Sequence, residues 1–414
     1  MEALVNLARN AARAPDVDAL RTRLLYNIAA ANGPQVESIP IRKALQEDQG
    51  PGSTAFHLAV RMHARAQDDF YPAGRVHVGT ITIPAVLAIQ DAQHLLPALS
   101  AGYEVLTAIA SAYSDVAQER GYRPSGIFGP IGAAAAAGVA LDLDDNQLAS
   151  ALALASTMSA GTNQPFIDGT DEWLIVVASA SRAGVDAARL AKAGIRGAKH
   201  AFEGVAGWSG AFFGDPGAGR LNHAISENRS RTADVAIKRY PISGIAQVPA
   251  YLAGEIGVAS GHREPERIEV RLSPRELSYP GSDNRGPFNS RSDALISVAR
   301  SIAVAYLNHR IPYGLLFDSP ETTETRIIEM IELIADEDLE EAEAIVTATV
   351  DGSTYTRHGR GQDLLFPDWA TTSQTTAEIA QFSEAPAELI ERLREALDSD
   401  PDPDTIRELL GVVR

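Results

Sequence analysis

The chain has 414 residues, 45% of them apolar and 22% charged, with no cysteine and a formal net charge of −18. That is the composition of a folded protein with room for one large domain and a smaller one. The missing cysteines exclude disulfides, thiolate nucleophiles, cysteine-held zinc and cysteine-bound iron–sulfur clusters, and the acidity argues against nucleic acid, whose binding needs clustered Lys and Arg to replace counterions.

No basic segment followed by an apolar core opens the chain, and no run of about 18 apolar residues is visible. The reading therefore expects neither a signal peptide nor a membrane partner, and a cytoplasmic protein. Residues 1–235 read as mostly helical. EALVNLARNAARAPDVDALRTRLLYNIAAAN carries Leu and Ala at helical spacing. In the loop AQDDFYPAGRVHVGTITIP, Asp68, Asp69, Tyr71, Arg75 and His77 stand together before a helix predicted to begin near Pro84. A histidine there can act as acid or base, with a carboxylate to set its tautomer. Two helices follow, with Pro97 and Gly102 as punctuation, and then the alanine-rich pair IGAAAAAGVALDLDDNQLASALALASTMSAG. Gly126, Gly129 and Gly132 precede the alanine run in GIFGPIG. They read either as an anion-holding turn at a helix N-terminus or as a tight turn with close helix packing. DGTDEWLIVVASASRAG opens a helix on a charged turn, and AGVDAARLAKAGI ends with Gly194 in a C-cap position.

The character changes near residue 236. IKRYPISG places Lys238, Arg239 and Tyr240 at the junction between the halves, a common place for a ligand site. RIEVRLSP alternates as a strand, and AIVTATVDGSTYTRHGR reads as a hairpin around Asp351-Gly352. SDALISVARSIAVAYLN and ETRIIEMIELIAD between them read as helices. The fold class is thus mainly α: a large all-helical domain from 1–235, a smaller α+β domain from 236–370, and C-terminal helices from 371–414 that return to the first. The nine histidines show no metal-ligand spacing, so no metal is expected.

The stretches FHLAVRMHARAQDDFYP, RVHVGTITIPAVLA, ERGYRPSGIFGPIGAAAAAG, DGT followed by ASASRAG, and KRYP, in that order, resemble the MmgE/PrpD family. Its members include 2-methylcitrate dehydratase, cis-aconitate decarboxylase and iminodisuccinate epimerase. The resemblance implies a helical domain completed by the C-terminal tail, a smaller α+β domain and a cleft between them. It also implies no metal or organic cofactor, a small-molecule substrate and commonly a homodimer. It departs from the family where family members usually carry ionisable groups. A lysine and a histidine are replaced by Trp173 and Val176, and two further histidines by Arg123 and Gln247. The family tyrosine has no evident counterpart near Ser297.

On this resemblance His77 is the expected base or acid, with Asp68 or Asp69 to orient it and Arg123 or Tyr240 to steady a developing oxyanion. His63, Tyr71, Trp173, Lys238 and Gln247 are the candidates for substrate contact. Trp173 in place of a lysine removes a cation and adds apolar surface with one N–H donor, so the substrate is expected to be less anionic than citrate-like acids. The implied chemistry is proton abstraction beside a carbonyl, leading to dehydration, epimerisation or cyclisation, in a setting of specialised biosynthesis. A non-catalytic relative that binds a ligand or partner, and a 2-methylcitrate or aconitate-type enzyme with relocated residues, are the alternatives.

Overall fold

The computed structural model describes residues 1–316, 318–399 and 401–412. The fold is mainly α with a smaller α+β part. It divides into two compact units: Met1–Thr162, Leu174–Ile237 and Pro367–Arg414 form the first, and Asn163–Trp173 with Lys238–Phe366 the second.

The centre of the first unit is a helical hairpin, Leu95–Glu119 and Pro124–Ala140. Its arms are antiparallel, because Gly102 faces Ala136 while Gly132 faces Leu106. A third helix, Glu172–Lys192, runs parallel to the second arm, with Val176 against Gly126, Ala180 against Gly129, and Gly184 against Ala133. A Cβ on Gly184 would lie 2.3 Å from that of Ala133, so the helices approach as closely as they do only because small residues face each other. This settles GIFGPIG: its glycines lie inside the Pro124–Ala140 helix and serve packing, and the anion-holding turn is not there.

Three further expectations are corrected here. The helix after the acidic loop starts at Gly79, not near Pro84, which lies inside Gly79–Leu87. The break between it and the next helix falls before Leu95, so Pro97 and Gly102 sit within Leu95–Glu119. That helix is long and apolar enough to cross a membrane, contrary to the sequence reading, but 83% of its most apolar window is buried inside the fold, as for a core helix. The tail helices Ala387–Asp398 and Pro403–Leu409 belong to the first unit, with Ile390, Leu393, Leu397 and Ile406 fully buried.

The second unit carries a four-stranded sheet in the order β2-β1-β3-β4, with β1 Arg267–Leu272, β2 Ile331–Ala335, β3 Glu343–Val350 and β4 Ser353–Arg360. β1 pairs parallel with β2 and antiparallel with β3, and the β3–β4 hairpin turns through Asp351 and Gly352, both at positive φ. The alternate residues Ile268, Val270 and Leu272 are buried. ETRIIEMIELIAD is not one helix: the helix ends at Met330 and Ile331–Ala335 is β2. Its apolar run suits either element, and pairing along β1 decides for the strand.

Candidate functional site

His63 is the last residue of the helix Pro51–His63. The chain then leaves through Ala66 at positive φ and bends at Asp68 before reaching Asp69. A bridge between Tyr71 and Val76, closed by the short turn Pro72–Gly74 and by Arg75 in the left-handed region, folds the loop back on itself. The fold-back brings His77 to Asp68. Nδ1 of His77 lies 3.0 Å from Oδ2 of Asp68, at ion-pair distance though off the hydrogen-bond direction. The same carboxylate oxygen is 2.9 Å from Nδ1 of His63. The two imidazoles meet edge to face with ring centroids 4.5 Å apart.

Arg123 joins from the residue preceding the helix Pro124–Ala140, with Nη2 3.0 Å from Nε2 of His63. Two residues on, the Ser125 hydroxyl accepts from the backbone N–H of His77 at 3.1 Å. Ser125 lies in the same GYRPSG stretch as Arg123, where a serine before a glycine carries no sequence signal for this role. His63, Asp68 and Arg123 are buried, while the His77 side chain keeps 20% exposure. Burial pushes His63 down to about 3, against the upward pull of Asp68, so it is neutral at physiological pH.

Asp69 faces another set of partners. It accepts from the Tyr103 hydroxyl at 2.6 Å and from the backbone N–H of Gly79 at 2.7 Å, while its own N–H donates to Asn27. It thereby caps the helix Gly79–Leu87 from outside. Only a glycine fits at that helix start, where a Cβ would lie 2.5–2.7 Å from the Asn27, Asp69 and Tyr103 side-chain atoms. Burial raises Asp69 to about 6 and drives Tyr103 well above its ordinary value, which keeps the phenol a donor. Asp69 is thus a brace of the site, and Asp68 the carboxylate that meets the histidines.

The Tyr71 hydroxyl is held 2.9 Å from that of Ser111. Gln247 is committed to backbone: its carbonyl accepts from the N–H groups of Arg239 and Tyr240, and its amide donates to the Tyr240 carbonyl at 2.9 Å. Its amide therefore shapes the Lys238–Ser243 turn rather than facing a ligand. Tyr240 is buried and pushed up to about 12 by desolvation, so it remains protonated. Lys238 and Trp173 are buried in the second unit. Val176, where the resemblance puts a histidine, packs its methyls on Gly126 and Gly161.

One nitrogen each from His63 and His77 and an oxygen of Asp68 lie within 4.8 Å of one another, a separation that one metal ion could bridge. The linear spacing of the histidines did not reveal this. The Arg123 guanidinium on His63 places a fixed positive charge beside that position and opposes a second cation.

Residues 11–220 match the model of the MmgE/PrpD N-terminal domain, which spans more than half of the chain and includes every member of the His63–Asp68–His77–Arg123 cluster. A search of curated proteins finds no match.

Proposed function

This chain belongs to the MmgE/PrpD family, and from that premise we propose that it is a cofactor-independent lyase or isomerase that moves a proton next to a carbonyl. The observation that carries the reading is the partly exposed His77 set against the buried Asp68 carboxylate. A carboxylate beside Nδ1 favours the proton there and leaves the lone pair at Nε2 as the base. When Nε2 takes a proton from carbon, the imidazolium is stabilised by Asp68 at 3.0 Å. Departure of a β-hydroxyl as water, protonated by the His77 imidazolium or by solvent, would then give dehydration, and protonation of the opposite face by water would give epimerisation.

The substrate we propose is less anionic than a tricarboxylate. Val176 offers methyl groups against Gly126 and Gly161 where the resemblance puts a histidine, and Trp173 stands in place of a lysine. The overall charge of −18 opposes polyanions as well.

The test is deuterium wash-in from D2O, followed by NMR, across a panel of hydroxy and amino monocarboxylates together with citrate, 2-methylcitrate and cis-aconitate. Exchange is expected in a monocarboxylate and none in the three citrate-like acids. His77→Ala and His77→Asn should each lower that exchange by roughly 10²–10⁴-fold with unchanged thermal unfolding. Turnover of a citrate-like acid would overturn the substrate assignment, and wild-type exchange in both variants would remove His77 as the base. A non-catalytic ligand-binding relative is the second reading, favoured by Val176 and by the backbone role of Gln247. It would show as binding of a panel member with no exchange.

A further inference from the structure

We propose that Arg123 and His63 are positioning residues: through the charge they leave on Asp68 they set the proton placement of His77, the base in the reading above. The argument starts from what arginine can do. A guanidinium has N–H donors and no acceptor. Its Nη2 lies 3.0 Å from Nε2 of His63, so that ring nitrogen must carry the lone pair. The ring proton of the neutral His63 is then on Nδ1, 2.9 Å from Oδ2 of Asp68, to which it donates. The hydrogen bonds run in one direction, from Arg123 to His63 to Asp68. The carboxylate oxygen that receives the last of them is the one next to His77.

The intervening imidazole matters electrostatically. A guanidinium placed directly on Asp68 would neutralise the carboxylate and weaken its hold on His77. With neutral His63 between them, Arg123 sets the direction of the bonds and Asp68 keeps its negative charge for the imidazolium that forms on His77. The same three-residue segment holds His77 from two sides: Arg123 through His63 and Asp68, and Ser125 through the His77 backbone N–H. A divalent cation bound at Nδ1 of His63 would require that nitrogen to lose its proton. A neutral ring would then carry its proton on Nε2, facing the Arg123 donors, so the geometry favours the hydrogen-bonded arrangement.

The experiment uses the full chain labelled with 15N-histidine and long-range 1H–15N correlation spectra, with His63 and His77 assigned from His63→Gln and His77→Asn. In the wild type His63 is expected as the Nδ1–H tautomer across pH 5–9. In Arg123→Met the His63 signal should shift towards Nε2–H, and His77 should lose its preference for Nδ1–H. Arg123→Lys, whose ammonium also only donates, should restore both signals. Where a substrate is found by deuterium wash-in, Arg123→Met should lower kcat roughly 10-fold or more and leave KM nearly unchanged. A wild-type His63 found as Nε2–H or as imidazolium would overturn the proposal, as would an Arg123→Met variant with both histidine signals unchanged. A change of the His63 and His77 resonances on adding Zn2+ alone at stoichiometric concentration would overturn it in favour of a metal site. These spectra need no substrate, so a panel without exchange would count against the catalytic reading and leave the positioning of His77 to be decided by the tautomers.

Discussion

Asp68 and Asp69 are neighbours in the chain, yet they meet different partners: Asp68 the Nδ1 of His63, and Asp69 the backbone N–H of Gly79. The difference has a pH signature. Burial lifts Asp69 from 3.8 to about 6, so the native state holds this proton more tightly than the unfolded chain, and its contribution makes stability fall as pH rises from about 4 to 6. His63 is pushed from 6.5 down to about 3, so the unfolded chain binds that proton more readily, and its contribution makes stability rise with pH across about 3–6.5. The two slopes oppose each other between about pH 4 and 6. Asp69→Asn removes the first, so its unfolding free energy should climb more steeply with pH than that of the wild type, by roughly 3 kcal/mol over the window. Urea denaturation at half-unit pH steps measures this directly, and parallel curves would mean that Asp69 does not titrate there.

Among the elements, the parallel pair Pro124–Ala140 and Glu172–Lys192 sets where Arg123, Ser125 and Val176 stand. Their closeness depends on side chains that are nearly absent. A methyl group on Gly184 would meet the Cβ of Ala133 and the backbone N of Ala134 at 2.3 and 2.5 Å, and a helix backbone cannot give way locally. Gly184→Ala should therefore destabilise the protein by roughly 1–3 kcal/mol through overpacking, although alanine is the better helix former. Gly314→Ala is the control, because a Cβ there has no neighbour within 4 Å. Chemical denaturation of the two variants should separate them, and equal midpoints would show that the helices are not in close contact.

In the molecule as a whole, segments distant in sequence complete one core. The tail helices add buried Ile390, Leu393 and Ile406 to the first unit. Arg407 reaches back to the end of the helix Gly79–Leu87, where it donates to the carbonyls of Leu87, at 2.8 Å, Ile89 and Gln90. These carbonyls lie beyond the reach of intrahelical bonds, so the guanidinium acts as a C-cap supplied from more than 300 residues away. Arg407→Met keeps most of the apolar stem and removes the donors. It should cost about 2–4 kcal/mol by leaving the Leu87 and Gln90 carbonyls without the guanidinium, while that of Ile89 keeps the Ala92 N–H at 3.1 Å. A variant with wild-type stability would show that water replaces the cap.

The sequence by itself determined most of the helices, the Asp351-Gly352 hairpin and the family, because these rest on local periodicity, turn chemistry and short motifs within one segment. It also singled out His77 and the paired aspartates. Only the tertiary structure decided which aspartate meets His77, since that depends on the Tyr71–Val76 fold-back. It likewise turned Ile331–Ala335 into a strand through pairing with β1, and committed the amide of Gln247 to the backbone of its own turn. Joining Arg123 to His63 across 60 positions was beyond the sequence too, because hydrogen-bond direction belongs to atoms in space and leaves no periodicity in the chain.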